Sequence, residues 1–200
     1  MSSHDVRLSA AERNLPVKMV RESLDNIPEF TVPVGFSLRW YRRGDERHWF
    51  GIHVVADVQN QITRELFQRE FGTDERLLTE RQCYLLDAGG NPIGTGTAWF
   101  DDDFVGTRVG RVHWVAVVPE HQGRGLAKPL MTEVCRRLSE LGHTRAYLST
   151  STARLRAIRL YLRFGFVPLI RNEMEAALWQ GLLGAHSELS CCKCASQIFR

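Results

Sequence analysis

The chain has 200 residues, 44% of them apolar and 24% charged, with a formal net charge of +3 from 26 basic against 23 acidic side chains. That balance describes a soluble globular protein long enough to bury its own core and excludes a globally disordered chain. The near-neutral charge gives no nucleic-acid footprint, and no apolar run reaches the roughly 18 residues a membrane helix needs.

Residues 1–35 are polar and carry Pro16, Pro28 and Pro33, so they read as an arm with a short helix around 18–26. The segment "MSSHDVRLSAAERNL" lacks the apolar stretch of a signal peptide, and the five cysteines are an odd number. Both features predict a reducing, cytoplasmic setting. "FSLRWY" alternates as a strand, with Phe36, Leu38 and Trp40 on one face. "GDERHWFGIHVVADV" opens on Asp45, a candidate helix cap, and "TRELFQREFG" reads as a second short helix. "RQCYLLDAGGNPIGTGTAWFDDD" reads as a hairpin of strands 82–87 and 93–100, with Asp101, Asp102 and Asp103 in the solvated loop beyond it.

"GRVHWVAVVP" is the next strand, stopped at Pro119. Leu126, Leu130, Met131, Val134, Cys135, Leu138 and Leu141 then form the apolar stripe of a helix that ends at Gly142. "RAYLST" is a strand, and "TARLRAIRLYLRFG" a helix with Thr152 as its candidate N-cap and Gly165 closing it. "FVPLI" resumes as a strand. The order β-α-α-β-β-β-α-β-α-β predicts a mixed α/β domain over residues 36–180. Residues 181–200 read as a flexible tail, where His186, Cys191, Cys192 and Cys194 crowd together. Adjacent cysteines fit badly around one tetrahedral ion, so no metal is expected there; Cys83 and Cys135 read as core residues.

The junction "VVPEHQGRGLAKPL" places Gly123, Gly125 and Ala127 between a strand and a helix. A P-loop would need Gly-Lys-Ser/Thr, but Lys128 follows Ala127; a dinucleotide fingerprint would need glycine where Lys128 stands. What is left is Gln-x-x-Gly-x-Ala, Gln122 to Ala127. It is either a tight turn whose small residues serve packing, or a cradle of backbone N–H groups for a pyrophosphate at a helix start. In the second case Arg124 and Lys128 supply cations at its rim.

Downstream, "ARLRAIRLYLRFGF" spaces Ala157, Tyr161 and Gly165-Phe166 four residues apart. With the loop motif in that order, the chain resembles the GNAT superfamily of acyl-CoA-dependent N-acyltransferases over roughly two-thirds of its length. The resemblance implies a central, mostly antiparallel mixed sheet flanked by helices, its strands splayed around acyl-CoA between segments 111–118 and 145–150. It implies acetyl-CoA as co-substrate, with Gln122, Gly123, Arg124, Gly125, Leu126, Ala127 and Lys128 around the pyrophosphate and the backbone of Val115 and Val117 along the pantetheine arm. Tyr161 then stands where the family keeps its general acid, and Val117 N–H where it keeps an oxyanion donor.

Acyl transfer also needs a neutral amine. The strand before the loop has no carboxylate, and alternation puts Arg111, His113, Val115 and Val117 on one face unless a bulge intervenes. His113 is either the base or a hydrogen-bonded core histidine, and Ser149 is a candidate anchor for a relaying water. Arg154 departs from the family's frequent asparagine and would contact the CoA phosphates or solvent. Arg154, Arg156, Arg159 and Arg163 are spread around their helix with no aromatic platform beside them, so no nucleic acid is expected. The expected activity is acetyl transfer to a small-molecule or peptide amine, possible as a homodimer and away from membranes. The alternative is a non-catalytic acyl-CoA-binding module of the same fold.

Overall fold

Strands and helices alternate along residues 14–190, the part of the chain that the computed structural model describes. In chain order the elements are β1 (Pro16–Arg21), β2 (Ser37–Trp40), α1 (Glu46–Ala56), α2 (Arg64–Phe71), α3 (Glu75–Arg81), β3 (Gln82–Leu86), β4 (Pro92–Phe104) and β5 (Thr107–Val117). A 3-10 turn at Pro119–His121 follows, then α4 (Ala127–Glu140), β6 (Ala146–Ser151), α5 (Leu155–Arg163), β7 (Val167–Pro168), α6 (Glu173–Ala185) and α7 (Ser187–Ser190). The elements form two units, one spanning Ser23–Ala146 and one joining the chain up to Glu22 to the chain from Tyr147 onward. The expected mixed α/β class is the one observed.

In the Ser23–Ala146 unit, β2, β3, β4 and β5 pair antiparallel in that order, with Leu38 opposite Leu85, Cys83 opposite Gly96 and Thr97 opposite His113. Successive side chains leave opposite faces. On one face Tyr84 joins Trp49, Ile52, Phe67, Phe71 and Leu78 of α1, α2 and α3. On the other, Leu85, Ile93 and Val117 join Leu126, and α4 lies along the same face. The amphipathic stripe of α4 is as expected, with Leu130, Met131, Val134, Cys135 and Leu138 wholly buried. Two glycines let it approach: a Cβ on Gly96 would come 3.1 Å from Val134 Cγ2, and one on Gly110 would come 3.1 Å from Leu138 Cδ2.

Two expectations are corrected in this unit, and one helix is added. Asp45 occupies the cap position of α1 but makes no capping bond. Its carboxylate turns back to accept from the Arg42 N–H at 2.7 Å and from Arg39 Nη2 at 2.9 Å, because a buried ion pair outweighs a cap there. Asp101, Asp102 and Asp103 belong to β4, which runs on to Phe104, and Asp102 pairs with Arg108 at 3.2 Å across the hairpin. Helix α3 escaped the periodic pattern because it is seven residues long and buries only Leu78 and Arg81.

The second unit corrects the expected helix around 18–26. Residues 16–21 are a strand, with Met19 opposite Pro168 and Val20 opposite Val167 of β7. The partner lies well over a hundred residues downstream, so local propensity had no view of it. Thr152 does not cap α5 either. Its hydroxyl accepts from the Leu15 N–H at 2.9 Å, and Arg154 takes the cap position. Helix α5 closes as expected on Gly165 at φ +75°, with Phe166 N–H on Tyr161 O and Gly165 N–H on Leu162 O. Arg21 donates to the Phe164 carbonyl and sits where a Cβ on Gly165 would go, 2.8 Å from its Nη1.

Helix α6 is capped by Asn172, which accepts from the Glu175 N–H at 2.9 Å, and it buries Trp179, Leu182 and Leu183. Gly181 and Gly184 hide this helix in the sequence by lowering its intrinsic propensity. Cys191, Cys192 and Cys194 lie outside the described residues. Among the described residues no helix is long and apolar enough to cross a membrane.

A glycine-rich loop beside a bulged strand

The loop is built from β5 outward. Val118 donates its N–H to the Ile93 carbonyl of β4 at 2.9 Å, so the neighbouring Val117 N–H and carbonyl point away from β4. The Val117 carbonyl accepts from Gln122 Nε2 at 2.8 Å, which ties the strand to the loop it feeds. Gly123 and Gly125 follow at φ +75° and +79°, left-handed positions that any side chain with a Cβ resists. Leu126, buried against Leu85, Ile93 and Val117, pins the end of the loop into the core, and α4 starts one residue later.

The cations are held on aromatic rings from the segment before β2. The Arg124 guanidinium lies 4.9 Å from the Phe36 ring centre, and Lys128 Nζ lies 5.6 Å from that of Phe30. Lys128 Nζ is also 3.9 Å from where a Cβ of Gly125 would be. The loop thus pairs two left-handed glycines with two positive side chains at a helix start, a chemistry suited to a phosphate-bearing ligand.

The strand itself departs from simple alternation. Thr95 faces Ala116 while Thr97 faces His113, so Trp114 and Val115 together oppose Gly96. Trp114 has φ +48°, an outlier for a bulky residue. The extra residue breaks the single face expected of Arg111, His113, Val115 and Val117. His113 packs its ring on Phe71 of α2 at 5.4 Å, whereas Val115 points to the α4 side, 3.5 Å from a Cβ position on Gly96.

The bulge presents His113 and Trp114 to one carboxylate. His113 Nε2 lies 3.1 Å from Glu70 Oε2, and Trp114 Nε1 donates to the same oxygen at 3.1 Å. The close imidazole of His113, the bond from Trp114 and the charge of Arg111 hold the Glu70 carboxyl down at about 2 against the opposing effect of burial. Burial pushes the His113 imidazole down to about 4, with Glu70 opposing. At neutral pH the pair is therefore a neutral imidazole against an ionised carboxylate. Sequence reading missed Glu70 and Trp114. Glu70 is 44 positions from the indole it binds, and a glutamate in "RELFQREF" carries no local mark of that role.

Both groups bind protons more readily in the unfolded chain, where the imidazole would titrate near 6.5 and the carboxyl near 4.5. Their contribution is therefore complete at neutral pH and is lost on acidification: through His113 between 6.5 and about 4, through Glu70 between 4.5 and about 2. His48 and His143, whose pKa values burial also lowers, add to the loss below 6.5. The melting midpoint is expected to fall as pH drops below 6.5, and His113→Gln should flatten that limb. An unchanged slope would assign the loss to other groups.

The remaining candidates lie in the other unit. Tyr161 is on the buried face of α5 with Ile158 and Leu162, its ring 6.3 Å from that of Phe166. Burial pushes its phenol up to about 12, with the charge of Arg154 opposing, so it is a protonated donor across the working range. Arg154 donates its N–H to the Ser151 carbonyl at 3.0 Å at the start of α5. Ser149 is exposed on β6, which continues two residues past it.

Residues 52–166 match the acetyltransferase (GNAT) family. Over 161 residues the chain is 31% identical to mycothiol acetyltransferase of Pseudarthrobacter chlorophenolicus, covering 78% of this chain and 50% of that protein. The chain spans about half the length of the curated relatives it matches. Its fold is similar to that of a GCN5-related N-acetyltransferase from Sphaerobacter thermophilus, with a TM-score of 0.64 and 24% identity over 77% of this chain and 48% of that one. It is also similar to a chain of the NatC complex bound to Gag peptide and CoA, with a TM-score of 0.58 and 18% identity over 69% of this chain and 88% of that one.

Proposed function

Because the chain belongs to the acetyltransferase (GNAT) family, we propose that it is an N-acetyltransferase that moves the acetyl group of acetyl-CoA to a primary amine. The observation that carries this reading is the pair of left-handed glycines, Gly123 and Gly125, between β5 and α4 inside the matched segment, with Arg124 and Lys128 at their rim. Gln122 to Lys128 would take the pyrophosphate, their small residues leaving room for its oxygens and their cations balancing its charge. The backbone of Val115 and Val117 would run along the pantetheine arm, and Arg154 is a further candidate for the phosphates.

The amine nitrogen attacks the thioester carbon, a C–N bond forms as the C–S bond breaks, the departing thiolate takes the proton of Tyr161, and the proton lost from the attacking nitrogen passes to water and restores the phenol. The Val117 N–H, directed away from β4, is the proposed donor to the oxyanion. His113, pushed down to about 4 by burial, is a weak proton acceptor at neutral pH, so it is not the base proposed for this step. Ser149 is proposed only as the anchor of a relaying water. The name of the mycothiol acetyltransferase relative supports a small-molecule amine as acceptor.

Titration calorimetry with acetyl-CoA, followed by thiol release across a panel of primary amines, tests this. Binding with amine-dependent thiol release is the expected result. Binding without turnover on any amine would favour an acyl-CoA-binding module, and no binding would overturn the reading of the loop.

A further inference from the structure

The bulge of β5 builds more than a break in alternation. A tryptophan held at φ +48° is costly, of order 1–3 kcal/mol for such a position, and it persists where surrounding structure over-determines it. Here the strained turn aims the Trp114 indole N–H at Glu70 Oε2, while His113 approaches the same oxygen from the next position along the strand. One oxygen of the carboxylate is thus held by the indole N–H, with the imidazole packed against it. The other, Oε1, lies 3.9 Å from Arg69 Nε, whose side chain is 73% exposed, and the charge of Arg111 also acts on the carboxylate. Such an exposed pair beyond hydrogen-bond length contributes little and yields readily to a better donor.

The surroundings favour a particular donor. Trp114 packs on Trp49 at 5.1 Å and on His53 at 5.0 Å, and Phe71 packs edge-on to Trp99 at 5.4 Å. Trp114, which bonds the half-buried carboxylate, is itself only partly buried, so part of the indole surface is accessible beside it. An ionised carboxylate with one open oxygen beside exposed indole surface suits an organic ammonium, whose charge pairs with the oxygen and whose cationic carbon neighbours lie on the rings.

We propose that Glu70 is the anchor for a cationic amine acceptor, receiving its ammonium on Oε1 as it arrives, the proton being lost to water before the neutral nitrogen attacks, while the Trp114 N–H holds the carboxylate in place. This rests on the N-acetyltransferase reading for the meaning of the ammonium, and it names a specificity-determining residue supplied by α2 rather than by the strand.

The indole N–H of Trp114 is a direct reporter, because it donates to the carboxylate in question. In 15N-labelled protein, with that resonance assigned from the spectrum of Trp114→Phe, benzylammonium chloride should shift it saturably and benzyl alcohol should not. Glu70→Gln, which keeps an oxygen for the indole, should weaken benzylammonium binding by about tenfold or more. The best acceptor found in the amine panel should show a similar rise in KM with a smaller change in kcat. An equal response to benzyl alcohol, no response to benzylammonium, or undiminished affinity in Glu70→Gln would each overturn the proposal. The comparison of the two ligands on the native protein needs no variant to fold. Acetyl-CoA calorimetry on the same sample reads the acetyl-transfer reading separately, so failure of one is distinguishable from failure of the other.

Discussion

Tyr161→Phe is expected to lower kcat by roughly two to four orders of magnitude, the usual contribution of a positioned proton donor, while acetyl-CoA affinity changes little. The substitution is close to isosteric. Tyr161 is buried on α5 beside Ile158 and Leu162, and phenylalanine keeps that packing while removing only the hydroxyl. A thiolate leaving without a proton is a poor leaving group, so the loss falls on the chemical step rather than on binding. The phenol also sets a pH signature. Held up at about 12 by burial, it stays protonated through the working range, and the native protein should show no alkaline decline of kcat from this group until that region is approached. Parallel measurement of single-turnover thiol release and acetyl-CoA binding checks the split. Near-native turnover in Tyr161→Phe would remove this residue from the acid role.

Gly125→Glu should eliminate measurable acetyl-CoA binding. Three effects act in one direction. Residue 125 sits at φ +79°, where an L-residue costs roughly 1–2 kcal/mol. The new carboxylate would stand where phosphate oxygens are proposed to lie, and its Cβ would be 3.9 Å from Lys128 Nζ, close enough for the glutamate to take that cation for itself. Gly125→Ala separates the contributions, because it carries the backbone strain without the charge and should weaken binding only modestly. Calorimetry on the two variants beside the native protein gives the comparison; undiminished affinity in Gly125→Glu would refute the loop as the pyrophosphate site. Leu126, which fixes the loop end in the core, should keep both variants folded.

Much of this protein is written locally in its sequence. The stripe of α4, the strands at β2 and β3, the glycine ending α5 and the strand–loop–helix junction at 117–127 each depend on residues within a few positions of one another, and each appeared where expected. The same holds for the family motif, because a glycine required at positive φ is a requirement of the local backbone. Elements that depend on a distant partner were not legible. Residues 16–21 become a strand because Val167 and Pro168 offer an edge. Thr152 abandons its cap for the backbone of Leu15, and Asp45 abandons its own for Arg39 and Arg42.

The candidate site divides along the same line. Sequence alone determined the loop from Gln122 to Lys128 and the tyrosine at 161, since short motifs carry them. Only the tertiary structure decided that one extra residue at Trp114 would turn His113 toward α2 and away from Val115 and Val117, and that Glu70 would meet it there. A bulge is set by how two strands register, and a half-buried carboxylate acquires its donors only when a helix and a strand more than forty residues apart are packed together. Spacing in the chain has no way to record that, because the interaction energy comes from proximity that folding itself creates.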